Sequence, residues 1–407
     1  MAGEKNLSVN EQGEVLQVFS RTLDRESHIL SKRPDLLWQQ LYNRLQWARE
    51  PITRILEHEL HQRNTRSAAP WLRTRTRLRE SEALIRTLTG HTESVYACAI
   101  SLDGAFIVSA SRDKTLKVWD AVTGAERATL AGHNFGVLAC AISPDGTFIV
   151  SASNDQTLKI WDAATGAERA TLAGHTNSVS SCAISPDGAF IVSASGDKTL
   201  KVWDAVTGAE QATLTGHTDG VRACAISPDG AFIVSTSWDK THKVWDAATG
   251  AERATLTGHT NELKACAISP DGAFIVSDSG YWTLKISRAA KGAKISPDGA
   301  FIVSASQDNK NTLKIWDAVT RAERATLTGH SYWVNACAIS PDGSFIVSAS
   351  DDNTLKVWDA ATDAKRATLT GHTGDVFSCA ISPDGAFIVS ASQDKTLKTW
   401  DAATGAE

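Results

Sequence analysis

The 407-residue sequence contains no phosphate loop of the form GxxxxGK followed by Ser or Thr, no nucleophile elbow and no cysteine with a neighbouring base. Without the glycine-rich loop there is no backbone cradle for a nucleotide's phosphates. Without an activated serine or cysteine the common covalent routes to hydrolysis are closed, so catalysis is not expected and no residue is assigned to it. There is no secretory signal and no run of eighteen apolar residues, which points to a cytoplasmic protein that does not cross a membrane. A strong charge of one sign is also missing: the formal net charge is −5 and selects no class of partner. Glu57-His58-Glu59-Leu60-His61 offers His-x-x-His spacing without the HExxH order of a zinc helix, so it reads as a surface helix. No metal and no cofactor is expected.

What the sequence does have is repetition. Gly-His dipeptides end at His91, His133, His175, His217 and His259, each 42 residues after the one before, and the same step separates His330 from His372. A phrase repeated in phase at this length is one supersecondary unit that cannot bury its apolar face alone and must stack on its neighbours. In the unit that starts at Gly90, short runs rich in β-branched or small apolar residues cover Val95–Ile100, Phe106–Ser109 and Thr115–Trp119. Asp103-Gly104 and Arg112-Asp113-Lys114 supply turns between them, and a fourth run, Arg127–Leu130, follows Thr123-Gly124. Four antiparallel strands per unit make one propeller blade. The seven cysteines, Cys98, Cys140, Cys182, Cys224, Cys266, Cys337 and Cys379, all fall at one position in the apolar innermost strand. Equivalent sites on neighbouring blades point alike, so they read as small buried hydrophobes in a reducing compartment.

Gly-His, the SPDG turn and a closing Trp-Asp together resemble the WD40 repeat; Trp-Asp stands at Trp119-Asp120, Trp161-Asp162, Trp203-Asp204, Trp245-Asp246, Trp316-Asp317, Trp358-Asp359 and Trp400-Asp401. The resemblance implies an all-β fold, a closed WD40 β-propeller. Eight SPDG-type turns, with Leu102 replacing Pro in the first, predict eight blades. One junction is short: His259 to His330 spans 71 residues where two units need 84, and TLKISRAAKGAKISPDG lacks Trp-Asp, the outer strand and the next Gly-His. Residues 288–296 can hold a stunted strand pair at about 3.3 Å per residue. The alternative is seven blades with a 29-residue insertion. Tyr281 replaces the turn aspartate and Ile286-Ser287 replaces Trp-Asp in the fifth unit, which is expected to be the least stable. In phase, Glu407 matches Lys365, so the chain stops one residue before the equivalent of Ile85. Residues 85–90 are thus expected to supply the outer strand of the last blade and seal the ring.

The family resemblance also gives the repeated polar residues a role. His91, one of Ser109 or Ser111, Asp113 and Trp119 match a hydrogen-bonded tetrad that fixes the turn between outer and inner strands. The same roles fall to His133, Asp155 and Trp161; His175, Asp197 and Trp203; His217, Asp239 and Trp245; His330, Asp352 and Trp358; and His372, Asp394 and Trp400. A set present in nearly every blade is a structural device, because its members satisfy one another when buried.

Residues 1–82 read as an α-helical region with a basic linker, and 83–407 as the propeller. Val15, Phe19, Leu23 and Leu30 suit one amphipathic helix; Pro34 opens a second through Leu37, Leu41 and Leu45; Pro51 opens a third through Ile55, Leu56 and Leu60. Arg63, Arg66, Arg73, Arg75, Arg77 and Arg79 make nucleic-acid contact through 63–79 an alternative. Few aromatics lie near for base stacking, so a solvated linker is the plainer reading and nucleic acid is not the expected partner. QQLYNRLQW, with PWLRTRTRLRESEALIRTL after it, is similar to the segment that precedes the propeller in bacterial signalling NTPases of the NACHT or NB-ARC type. That similarity implies a sensing module whose NTPase partner acts in trans.

Because the copies are nearly identical, the positions that differ among them stand out. They lie just past Gly-His and just before the turn aspartate, two places that a blade brings to the same end of the ring, at the mouth of the central channel. Loops held by a rigid scaffold are where recognition residues belong. The candidate partner-binding residues are Tyr96, Arg112, Phe135, Leu138, Asn154, Arg222, Trp238, Lys264, Gln307, Tyr332, Trp333, Asn335, Asp351, Phe377 and Gln393. Aromatics and arginine dominate binding energy at protein interfaces, so the expectation is a non-catalytic scaffold or sensor that binds a protein or peptide. The contrasting reading is an orphaned or decaying array with no dedicated ligand.

Overall fold

Turn chemistry cuts each repeat into strands at fixed points. The computed structural model describes residues 9–30, 33–48, 51–63, 72, 81, 83–256, 263–268, 275–279, 293–295, 301–305, 313–317 and 323–403. After β1 (Leu84–Thr89), the first full unit forms β2 (Val95–Ile100), β3 (Phe106–Ser111), β4 (Thr115–Asp120) and β5 (Glu126–Ala131), which pair antiparallel in that order. Three of these strands run one or two residues beyond the apolar runs, because cross-strand pairing carries the ladder into polar positions. Between β2 and β3, Gly104 has φ +71° and donates its amide to Ser101 O at 2.8 Å, a conformation open to glycine at little cost. Between β3 and β4, Lys114 takes the left-handed conformation, with φ +74°. The Asp113 carboxylate holds that turn by accepting from the Thr115 amide and hydroxyl at 3.0 and 2.6 Å.

Among the described residues eight sheets result, seven of four strands and one of two. The short sheet is the fifth, with Leu263–Ile268 and Ile275–Ser279 as its described strands. The sixth starts with a three-residue inner strand, Ala293–Ile295, paired to Phe301–Ala305. Eight sheets set aside the seven-bladed alternative, and one member of the expected stunted pair is the strand at 293–295. Tyr281 and Ile286-Ser287 lie outside the described residues.

The innermost strands of successive blades adjoin one another around the ring, and β2 adjoins Val376–Ile381 of the last blade. The last blade takes its outer strand from the opposite end of the sequence: β1 pairs with Thr396–Asp401, with Leu84 opposite Trp400 and Leu88 opposite Leu397. The core sits between blades. Val108, Ala110, Leu116, Val118 and Leu130 of the first blade pack on Val137, Ile149 and Trp161 of the second, all buried. At about 1.5–3 kcal/mol for each large apolar side chain buried, most of a blade's hydrophobic stabilisation comes from its neighbours.

Among the described residues three α-helices precede the ring: α1 (Val9–Leu30), α2 (Leu37–Leu45), which a 3-10 turn at Pro34–Leu36 leads into, and α3 (Ile52–Arg63). Tyr42, Leu45, Ile52 and Leu56 form a small core with Phe19, Trp38 and Leu41 against it. Leu23, Leu37 and Ile55, expected to face inward, are 40%, 44% and 37% exposed. Part of α1 is turned toward β1 instead. Arg21 pairs with Asp401 at 2.9 Å, Arg25 Nε donates to Leu84 O, and Asp24 accepts from Arg86 at 2.8 Å. Arg86 also donates to Val122 O at 2.5 Å, and it lies so close to Gly124 (φ +70°) that a Cβ there would overlap its Cδ. One buried guanidinium thus ties the helix, the closing strand and the outer turn of the first blade. Of the basic stretch, Arg63 pairs with Glu59 at 2.7 Å and lies 5.2 Å over the Trp38 ring, while Arg66, Arg73, Arg75, Arg77 and Arg79 lie outside the described residues. No described helix is long and apolar enough to cross a membrane.

Arg86→Ala removes a buried charge-assisted junction and is expected to cost about 1–3 kcal/mol. Arg127→Ala breaks an exposed pair with Asp120 and should cost under about 1 kcal/mol. Thermal denaturation of the two variants side by side checks the order; equal losses would mean that the helix-to-ring junction carries nothing special.

Candidate functional site

The rim can be held rigidly only if the turns beneath it are fixed, and the tetrads fix them. Trp119 Nε1 donates to Ser109 Oγ at 2.9 Å, and Ser109 Oγ lies 2.8 Å from His91 Nε2. His91 Nδ1 lies 2.7 Å from Asp113 Oδ2. Since a carboxylate can only accept, Nδ1 carries the proton and Nε2 accepts from the serine, so every polar atom in the relay is used. Ser109 is therefore the member of the tetrad. Ser111 has a separate task, donating to Ser94 O at 2.9 Å and accepting from the Asp113 amide at 3.1 Å.

The relay recurs on Trp161, Ser151, His133 and Asp155; on Trp203, Ser193, His175 and Asp197; and on Trp245, Ser235, His217 and Asp239. Trp358, Ser348, His330 and Asp352, and Trp400, Ser390, His372 and Asp394, complete the described set. Burial pulls His133, His175, His217 and His372 below the ordinary 6.5, outweighing the aspartate beside each. The same burial would raise Asp155, yet bonds from Thr157, the Asn134 amide and His133 bring it below the usual carboxylate range. These four pairs are neutral histidine beside anionic aspartate, each committed to its own relay. The glycine before the histidine is favoured by close approach in the first two blades: a Cβ on Gly90 would lie 3.0 Å from Glu126 Oε2 and 3.2 Å from Trp119, and one on Gly132 would lie 3.1 Å from Trp161.

Above this frame the two variable segments of each described blade are joined by one backbone bond. The amide of Arg112 donates to Ser94 O at 2.9 Å, Asn154 to Gly136 O at 3.0 Å and Trp238 to Gly220 O at 3.0 Å. Asp351 donates likewise to Trp333 O at 2.9 Å and Gln393 to Asp375 O at 2.8 Å. Successive blades also touch here, since a Cβ on Gly136 would lie 3.2 Å from Arg112 Cα and one on Gly220 would lie 3.3 Å from Gly196 Cα.

Phe135, Tyr332 and Trp333 are 61%, 64% and 49% exposed, and Arg112, Asn154 and Gln393 are exposed as well. Tyr96, Leu138, Arg222, Trp238, Asn335, Asp351 and Phe377 are half-buried. Several form pairs. The Tyr96 and Phe377 rings lie 5.7 Å apart across the seam between the last and first blades, and Arg222 lies 4.4 Å over Trp238 within the fourth blade. Asn335 Nδ2 donates to the Asp351 carboxylate and, across the next seam, to Val376 O at 3.0 Å. Leu138 has no contact with another candidate among the described interactions. Lys264 lies on the strand Leu263–Ile268, and its side chain, like the whole of Gln307, lies outside the described residues.

Comparison of the repeats missed some members of this surface. Lys114 lies 5.9 Å over the Phe135 ring, and Glu93 pairs loosely with Lys395 at 4.0 Å. Lys114 and Lys395 hold the left-handed turn position, where Lys, Gln or Asn recurs, so variability gave no signal. The six described cysteines are thiols, and burial pushes Cys98 up to about 12. Among the described residues no group of three or more His, Cys, Asp or Glu could hold a metal ion.

Eight radial sheets of antiparallel strands, sealed by a strand from the start of the sequence, define an eight-bladed β-propeller. The chain belongs to the WD40 family: the family model described as WD domain, G-beta repeat, matches residues 82–120, 124–162, 166–204, 208–246, 250–287, 286–317, 322–359 and 364–401. A stretch of 40 residues is 48% identical to the small ribosomal subunit protein RACK1 of Saccharomyces cerevisiae. Stretches of 39 residues are 54% identical to MST50-interacting protein 11 of Pyricularia oryzae and to RACK1 of Neurospora crassa. Each match covers 10% of this chain and 12% of the relative, about the length of one repeat.

The histidines set a pH dependence. Their folded pKa lies below 6.5, so as pH falls through about 6.5 the unfolded chain takes up protons first and stability is lost with acid. The depressed aspartates add a further loss below about 4. The melting temperature should hold between pH 8 and 7 and fall steadily toward pH 5; a flat or rising profile there would contradict the neutral-histidine assignment.

Proposed function

We propose that this propeller is a non-catalytic interaction scaffold whose channel-mouth rim binds a protein or peptide. One observation carries the reading: the segments that differ between otherwise near-identical blades are tied in pairs by the bond from the turn amide to the lead-in carbonyl. They therefore form one continuous surface on an unvarying frame. That surface presents Phe135, Tyr332 and Trp333 to solvent, side chains of the kind that supply most of the energy in protein interfaces. One relative is named as a ribosomal subunit protein and another as a protein that interacts with a partner, in keeping with a protein ligand here.

The similarity of the N-terminal segment to that of bacterial signalling NTPases extends the proposal. The helices would relay occupancy of the rim to a nucleotide-binding module in trans, and the ties from α1 to β1 offer the mechanical route. Changing Trp238, Trp333 and Phe377 together to Ala should abolish capture of the partner from lysate while the melting temperature stays close to that of the parent. Undiminished capture by a folded variant defeats the proposal.

A further inference from the structure

The rim is not uniform around the ring. In the second and fourth blades its rings are already attended by the protein's own cations, Lys114 over Phe135 and Arg222 over Trp238. Across the seventh, eighth and first blades the arrangement is reversed. Tyr332 and Trp333 are largely exposed, and no cation lies over either ring among the described residues. Two carboxylates belong to the same arc, Asp375 and Asp351, the latter joined to Trp333 through its backbone amide. The Asn335 amide bonds Asp351 and reaches over the seam to the carbonyl of Val376, the residue next to Asp375, and so holds Asp351 close to Asp375. Neither aspartate has a basic partner among the described residues. Burial and the charge of Asp351 push Asp375 above the usual carboxylate value. Two residues on from Asp375, the half-buried Phe377 ring meets that of Tyr96 across the seam and adds apolar surface to this arc.

We infer that this arc of the rim receives a basic side chain, Lys or Arg, from an extended segment of the protein partner. The inference rests on the reading of the rim as the docking surface. A long cationic side chain matches all three features at once. Its charge relieves the repulsion between the carboxylates, its head can lie over an aromatic face, and its alkyl stem covers the apolar surface. A bare metal ion would use the carboxylates but leave the rings unexplained, and a neutral apolar residue would leave the carboxylates facing each other.

The test uses the full chain with indole nitrogens labelled, with the Trp333 signal assigned by its loss in Trp333→Phe. N-acetyl-arginine methylamide and N-acetyl-lysine methylamide are the probes, and N-acetyl-citrulline methylamide is the neutral counterpart. The Trp333 signal should move with the basic probes and not with citrulline. Asp351→Asn combined with Asp375→Asn should weaken the response about tenfold or more, the loss expected for a charge-assisted contact. The same variant should melt no lower than the parent, because it removes a repulsion. An equal response to citrulline, no response up to the solubility of the probes, or an unchanged response in the double variant overturns the inference. Lysate capture separates this from failure of the broader reading. A partner lost by the aromatic rim variant but kept by the double aspartate variant leaves the docking surface standing and removes the basic side chain from it.

Discussion

The hydrogen-bond relay from tryptophan through serine and histidine to aspartate is the constraint on which the rest depends. It places four polar side chains in the interior of each of the six blades where it is described, where any one left without a partner would cost more than the bond is worth. The sequence meets that condition by repeating all four at fixed spacing. Once the relay is made, the turn bearing the aspartate and the segment bearing the histidine are locked to each other. The rim above inherits that rigidity.

Blade-to-blade burial gives the second constraint. Each buried tryptophan packs against the preceding blade, as Trp161 does on Leu116 and Val118, so a defect in one blade is felt by the next. The fourth blade shows an accommodation at such a seam. Where other blades place an Ala opposite a Leu, it pairs Thr236 with His242, both buried. That face is the one turned toward the fifth blade, whose unit departs most from the repeat.

The architecture was legible because it is written several times over. Period and blade number follow from residues that recur in register, the six described tetrads follow from the family resemblance those residues carry, and the structure agrees with each. The choice between Ser109 and Ser111 was not legible, since both serines recur and only coordinates reveal which meets the tryptophan. The inward facing of Leu23 was misread, because part of α1 attends to a strand more than fifty residues away instead of to its own bundle. The links made by Arg21, Arg25 and Arg86 are likewise invisible to periodicity: single, non-local contacts leave no pattern. At the rim, comparison of the copies found the variable positions but could not pair them. The stacking of Arg222 on Trp238 and the reach of Asn335 across a seam depend on side-chain direction, which spacing does not encode. Lysines in the left-handed turns were passed over because they hardly change from copy to copy.

The pairing of Leu84 with Trp400 has a consequence for synthesis on the ribosome. A strand made early must wait for one made more than three hundred residues later, and until then the ring is an arc with raw edges at both ends. At a translation speed of roughly 5–20 residues per second that interval lasts tens of seconds. Through that interval α1, which bonds Leu84 and Arg86, is the element already made that can hold the waiting strand in place, and an unpaired strand edge is a template for pairing with a neighbouring nascent chain.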